Sequence, residues 1–303
     1  MQRAGGARHV PGNGRRPHAP ALLPVKAMSN SYSFDYLIGQ TRAKRDTLLE
    51  APARYFLSAM LAGTLIAVVL SASMRLAQLL LQSSSPYYAV AYSAFFGTAL
   101  VAIIVSKSEL FTSNVMYLTL ARLSGRASTA EAALSWGCVY LGNLAGILLF
   151  TLVWMQAGGL GDYPDSHVAS QLVAVKTGAP AMKIFWKAVL CNWIICLAVW
   201  LPMKLENEAA KIMLIMLLVF VFFFSGFEHC IANMALFSLV WAHAPDALPF
   251  ADIVHNMVPA TLGNIVGGML GVALPAWLLE RHTLSDAPQT APSAMQRLCE
   301  ESQ

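Results

Sequence analysis

A pair of polar motifs occurs twice in this chain, each time inside sequence apolar enough to cross a membrane. That duplication restricts the fold more than any other feature. Glu109-Leu110-Phe111-Thr112-Ser113-Asn114 is followed by Leu141-Gly142-Asn143-Leu144-Ala145-Gly146. Glu228-His229-Cys230-Ile231-Ala232-Asn233 is followed by Leu262-Gly263-Asn264-Ile265-Val266-Gly267. Both units read E-x-x-x-x-N and then L-G-N-x-x-G, at nearly equal spacing. Agreement in content, order and spacing marks an internal repeat. Polar clusters that interrupt apolar spans at matching places in two halves point to a substrate path at the repeat interface.

Composition fits a membrane protein. Hydrophobic residues make up 57% of the chain and charged residues 12%, against about a quarter charged in soluble domains. The 303 residues hold six spans of about 20 residues plus loops. The net charge of +4 sits mostly before the first span. No aromatic-basic stripe accompanies it, so nucleic acid is not an expected partner. Of the five cysteines, Cys138, Cys191, Cys196 and Cys230 lie in apolar runs and Cys299 near the end. None forms C-x-x-C or a metal-ligand spacing. They read as small packing residues, and no cofactor is expected.

Apolar run length places the spans at Tyr55–Leu76, Tyr87–Leu120, Ala132–Gln156, Met182–Pro202, Ile212–His243 and Met257–Leu279. The second is broken around Ser106-Lys107-Ser108-Glu109 and the fifth at Ser225-Gly226-Phe227-Glu228-His229. Lys and Arg set the orientation. Arg42, Lys44, Arg45 and Arg54 precede the first span, Arg122 and Arg126 follow the second, Lys204 and Lys211 the fourth, and Arg281 the sixth. Alternate loops carry Asp162 and Asp165, or Asp246 and Asp252. Both termini are therefore expected in the cytoplasm. Three spans per repeat is an odd number, so the second repeat inserts upside down. The expected fold is all-α, with six transmembrane helices in an inverted 3+3 repeat and two broken helices.

Residues 1–50 are expected to form a cytoplasmic extension, 51–281 the channel domain in the cell membrane, and 282–303 a disordered cytoplasmic tail. Residues 1–27 are not a signal peptide, since the apolar patch at Ala21–Val25 is too short. Met28 is a candidate native start. Phe34–Glu50 is expected as an amphipathic helix on the lipid surface.

A helix interrupted at membrane depth frees backbone groups that must find partners or line a wet cavity. Ionisable residues at such depth are costly and mark function by default. His229 carries that reading most strongly, beside Glu228 and opposite a Thr-bearing break. The matched positions of Glu109 and Glu228 fit a structural task, accepting hydrogen bonds from amides freed at the breaks. Asn143 and Asn264 are expected to bond loop backbone across the repeat interface. Lys176, in a loop before the fourth span, is either a solvated loop residue or a basic group that concentrates anions at a funnel mouth.

Several stretches together resemble the formate/nitrite transporter family. They are Ser108–Ser113, Lys176-Thr177-x-Ala179-Pro180-Ala181, Cys191-Asn192-Trp193 through Trp200, Gly226–Met234 and Thr261-Leu262-Gly263-Asn264. The similarity runs from about Ala51 to Leu279. The Lys-Thr-x-Ala-Pro-Ala stretch and Glu208-Ala209-Ala210-Lys211 are most similar to the nitrite branch. The resemblance implies an aquaporin-like fold and a homopentamer with one pore per protomer. It implies that His229 is the central pore histidine, with Thr112 facing it. Asn192 and Lys176 match residues of anion approach and the pore lining. Phe96, Leu100, Leu110, Ile195 and Phe222 match apolar residues that form two constrictions. One departure stands out: Lys107 occupies a place where the family usually has a small residue, often Gly.

The function these lines imply is passage of small monovalent anions of weak acids, nitrite first and formate or hydrosulfide as alternatives. Protons would exchange at His229. A neutral-solute channel is the first alternative, but neither break carries Asn-Pro-Ala. A membrane metalloenzyme using His229, Glu228, His243 and His255 is the second, but no H-E-x-x-H is present.

Overall fold

The computed structural model describes residues 30–161 and 167–285. The expectations for residues 1–27, the tail after Ser285, the loop residues Asp162 and Asp165, and Cys299 fall outside these ranges. Among the described residues the chain is all helix, without a strand.

The helices follow in order: α1 Asn30–Glu50, α2 Pro52–Gln82, α3 Tyr88–Ala94, α4 Gly97–Val105, α5 Phe111–Leu123, α6 Thr129–Gln156, α7 Val168–Thr177, α8 Ala181–Trp200, α9 Glu208–Phe224, α10 Cys230–His243, α11 Phe250–Gly268 and α12 Leu274–Ser285. A 3₁₀ turn, Leu201–Lys204, extends α8, and a π turn, Met269–Ala273, joins α11 to α12. Local chemistry fixes several starts. Pro52 stands in the first turn of α2, where its missing N–H costs nothing. Ser128 and Glu131 form a reciprocal capping box on α6. The Asn207 side chain caps α9.

Five stretches are long and apolar enough to cross a membrane: Pro52–Gln82, Tyr88–Val105, Thr129–Gln156, Ala181–Lys204 and Phe250–Leu279. Only 33–44% of the most apolar part of each is buried within the chain. Large apolar side chains such as Leu57, Leu141, Leu152, Leu217 and Leu262 face outward. Water would not tolerate so much exposed hydrocarbon; lipid does. The chain is thus a multi-pass membrane protein.

Two helix pairs form the frame, α2 with α6 and α8 with α11. Each is closed by glycines. A Cβ on Gly63 would strike the Asn143 carbonyl, and one on Gly146 the Met60 carbonyl. In the other pair, Cβ atoms on Gly263 and Gly267 would strike the carbonyls of Phe185 and Val189. Small residues at these places let backbones touch, which is how helices associate where lipid supplies no hydrophobic drive.

α1 and the short α7 sit at opposite ends of α2. α1 leads directly into its N-terminus. α7 lies at its other end, where Val168 N–H donates to Gln78 Oε1 at 2.8 Å. α1 does not lay its whole apolar face on lipid, as the sequence alone implies, although Leu49 stays exposed. Leu37, Ile38 and Leu48 are buried in the core, and Arg45 binds Glu131 of α6 at 2.7 Å.

Candidate functional site

The breaks between α4 and α5 and between α9 and α10 are built alike. Each preceding helix ends on a residue in the left-handed region, Lys107 at φ 55° and Gly226 at φ 65°. Lys107 N–H bonds back to Ile104 and Ser108 N–H to Ile103. Gly226 N–H bonds to Phe223 and Phe227 N–H to Phe222 in the same way. This paired closure satisfies helix-end carbonyls. The chain then runs extended through Leu110 in one half and His229 in the other before α5 and α10 begin.

Each break is pinned by an asparagine of its own half. Asn143 Oδ1 accepts from Phe111 N–H at 3.0 Å, while its amide donates to the carbonyls of Ala59 at 2.7 Å and Glu109 at 2.9 Å. Asn264 Oδ1 accepts from Cys230 N–H at 2.8 Å, and its amide donates to Ala188 and Glu228, both at 2.8 Å. The sequence-based expectation had these residues bonding across the repeat interface. They act within one half, because α6 lies against the first break and α11 against the second.

The glutamates do not take the freed amides, which the asparagines already hold. Glu109 accepts from Lys44 Nζ at 2.6 Å and Asn114 Nδ2 at 2.8 Å. Glu228 accepts from Lys176 Nζ at 2.8 Å and Asn233 Nδ2 at 2.6 Å, and Asn256 stands at 3.5 Å. Glu228 is 2% exposed, a burial that requires such partners. Lys176 lies in the last turn of α7, not in a loop. Its charge meets Glu228 rather than solvent.

His229 caps α10: its Nδ1 accepts from Ala232 N–H at 2.9 Å. Its Nε2 is 3.2 Å from Thr112 Oγ1 across the two breaks. A nitrogen that accepts a backbone N–H carries no proton, so the ring is neutral with its hydrogen on Nε2. Nε2–H therefore donates to Thr112. Both residues are buried, at 3% and 0% exposure.

Phe96, Leu100, Leu110, Ile195 and Phe222 line one cavity together with His229, and Ile66 and Val219 complete it. Its volume is ≈ 10 Å³, room for about one water. The Phe222 and His229 rings stack at 6.0 Å. Ile66 and Val219 escaped the sequence analysis. Val219 follows Leu100 by the same interval that separates Glu228 from Glu109, so extending the repeat outward would have found it, whereas no motif spacing leads to Ile66. Asn192 is not among the lining residues. Its amide bridges the Thr112 carbonyl at 3.1 Å and the Asn264 carbonyl at 2.7 Å, tying one break to the other half. A larger cavity of ≈ 180 Å³ opens at the far end of α2 beside Arg75 and His167, away from all these residues. Among the described residues no cluster of His, Cys, Asp and Glu could hold a metal.

This arrangement is a small apolar cavity with one histidine in its wall, held between two equivalent frames. Comparison with known proteins fits that description. A sequence model of the formate/nitrite transporter family matches residues 36–278. The chain is 36% identical over 230 residues to an uncharacterized transporter, YwcJ, of Bacillus subtilis, covering 75% of this chain and 89% of that protein. It is 34% identical over 238 residues to the nitrite transporter NirC of Salmonella typhimurium, covering 78% and 87%. Among solved structures it is similar to a channel described as an FNT family ion channel, with TM-score 0.77 and 32% identity over 82% of this chain and 98% of that one. A pentameric formate channel with formate bound gives TM-score 0.67 and 29% identity over 77% and 98%.

Proposed function

This chain belongs to the formate/nitrite transporter family, a family of transporters rather than enzymes, and we propose that it conducts small monovalent anions of weak acids, nitrite foremost, as protonated neutral species. The observation that carries the proposal is the His229–Thr112 pair, 3.2 Å apart, at an apolar cavity of ≈ 10 Å³. Such a space holds no hydrated ion. Stripping a charged ion bare in it costs on the order of tens of kcal/mol. A neutral acid avoids most of that cost.

The proton is exchanged at His229. The neutral ring has only Nε2–H, and losing that proton outright would leave an imidazolate. Donation therefore runs through the imidazolium, which forms when Nδ1 releases the Ala232 amide and takes a proton from water. The anion then takes the Nε2 proton and crosses as HNO₂ or HCOOH, and the ring is left neutral with its hydrogen on Nδ1 until that proton returns to water and Nε2 is protonated again. Proton exchange is thereby coupled to the first turn of α10. Thr112 holds the ring in place from the opposite break.

The architecture we assign is two three-span halves of opposite orientation, with α9, the break and α10 as the fifth of six spans. The matched asparagine, glutamate and glycine contacts support it. We place residues 51–281 as the pore domain in the cell membrane, with both termini cytoplasmic, from the Lys/Arg distribution. We further assign a homopentamer, supported by the likeness to the pentameric formate channel and by the outward apolar faces of the spans. The nitrite preference rests on the likeness to NirC.

Competitive uptake of labelled nitrite, formate and hydrosulfide into proteoliposomes tests the reading. It predicts uptake of all three, with nitrite the best competitor. Water or glycerol flux without anion uptake would assign the pore to neutral solutes instead.

A further inference from the structure

Four lysines stand at the two breaks, and they are not equivalent. Lys44 and Lys176 each hold a buried carboxylate, at 2.6 and 2.8 Å. Each such pair has no net charge, so neither lysine draws anions from a distance. The other two are Lys107 and Lys187. Lys107 is exposed and makes no ion pair among the described residues. The matching place in the second break is Gly226, which has no side chain. There Lys187 reaches in from α8 and donates to the Gly226 carbonyl at 3.0 Å.

Lys187 has its own counterpart in the first half, Ser58. The backbone carbonyls of Ser58 and Lys187 accept from Glu109 N–H at 3.4 Å and Glu228 N–H at 3.5 Å. Ser58 Oγ donates to the Lys107 carbonyl at 3.4 Å, as Lys187 does to Gly226. One break therefore carries its lysine on the loop and a hydroxyl on the helix, and the other carries its lysine on the helix and a bare glycine on the loop. Each break ends with one uncompensated cation, supplied from a different element.

We propose that Lys107 and Lys187 are the groups that gather small oxyanions at the two ends of the pore, in place of the neutralised Lys176. This assignment rests on the anion-pore reading above. Chain geometry supplies the reach. Lys107 is three residues from Leu110 and Gly226 three from His229, and three residues span at most about 11 Å. The screening length at physiological ionic strength is about 8 Å. The Lys107 backbone, and the Gly226 backbone whose carbonyl Lys187 Nζ holds at 3.0 Å, thus lie no more than about 11 Å from a residue that lines the cavity, little over one screening length. That is near enough to raise the local anion concentration without binding the anion in the cavity. It also gives a reason for a lysine in the left-handed region, where glycine is the less costly residue. α1 and α7 lie at opposite ends of α2, so the two lysines serve opposite faces of the membrane.

The test is nitrite and formate entry into right-side-out and inverted membrane vesicles, at low salt and far below saturation. Lys107→Gly removes the charge while relaxing the backbone. Lys187→Gln keeps a donor for the Gly226 carbonyl. Each should slow entry about twofold, the effect of one unit charge about 10 Å away in water, and Lys107→Glu or Lys187→Glu about fourfold. The Lys107 variants should act in one vesicle orientation and the Lys187 variants in the other. Both losses should vanish at saturating substrate and in 1 M salt, where the screening length is about 3 Å. Unchanged entry in both orientations, or a loss that persists in 1 M salt, would overturn the assignment. Wild-type vesicles that take up neither anion would remove the anion pore itself, and the assignment with it.

Discussion

At the scale of single residues, the buried ion pairs decide how the breaks are held. Lys176 and Glu228 lie 2.8 Å apart with side chains 14% and 3% exposed. Removing one partner of such a pair leaves an uncompensated buried charge, at a cost of about 3–5 kcal/mol. Lys176→Met should therefore lower the thermal unfolding temperature of the solubilised protein markedly. Adding Glu228→Gln should recover most of the loss, because the amide is neutral and keeps an oxygen for Asn233. Unfolding of Lys176→Met at the wild-type temperature would show that Glu228 does not depend on the lysine. The residues that meet at the site, His229 and Thr112, could be singled out in the sequence, because a polar residue inside an apolar span stands out. The partner of Lys176 could not. Glu228 lies 52 positions away, and short α7 carries too little apolar sequence to announce itself as a helix that turns the lysine inward.

At the scale of elements, glycine contacts set how closely the frame helices approach. A Cβ at Gly146 runs into the Met60 carbonyl, whereas one at Gly137 meets nothing within 4 Å. Gly146→Ala should push α6 away from α2 and cost about 1–3 kcal/mol, as overpacking does, while Gly137→Ala should not destabilise. Thermal unfolding of the two variants side by side checks this. Equal stability would mean that α2 and α6 part without penalty. The breaks were visible in sequence because Ser106–Glu109 and Ser225–His229 interrupt apolar runs, and the helices end there. The packing of α1 was not. Its hydrophobic residues fit a lipid surface or a protein groove equally well, and only the positions of α5, α2 and α12 decide that several of them are buried.

At the scale of the whole molecule, the account requires the two halves to face opposite ways. Reporter fusions at residues 30 and 290 should both report cytoplasm, and one near Asp165 the outside. A cytoplasmic signal at Asp165 would dissolve the six-span arrangement. The repeat is what makes the sequence imply this architecture, since matched motifs in successive odd-numbered sets of spans have to invert. What sequence left open was how the halves join. Asn192 reaches both the Thr112 and Asn264 carbonyls, a contact no spacing rule contains.

The claim on which the rest depends is that a proton passes through His229 as each anion crosses. His229→Asn tests it with little structural risk, since asparagine is among the best N-cap residues and can still accept from Ala232. Labelled nitrite uptake into proteoliposomes would be followed from pH 5 to 8, with an internal pH dye read in parallel. The account predicts a folded variant of unchanged oligomeric size that has lost proton-coupled uptake, leaving at most a passive leak. Uptake and proton movement equal to the wild type would contradict it, and would leave His229 as no more than the cap of α10.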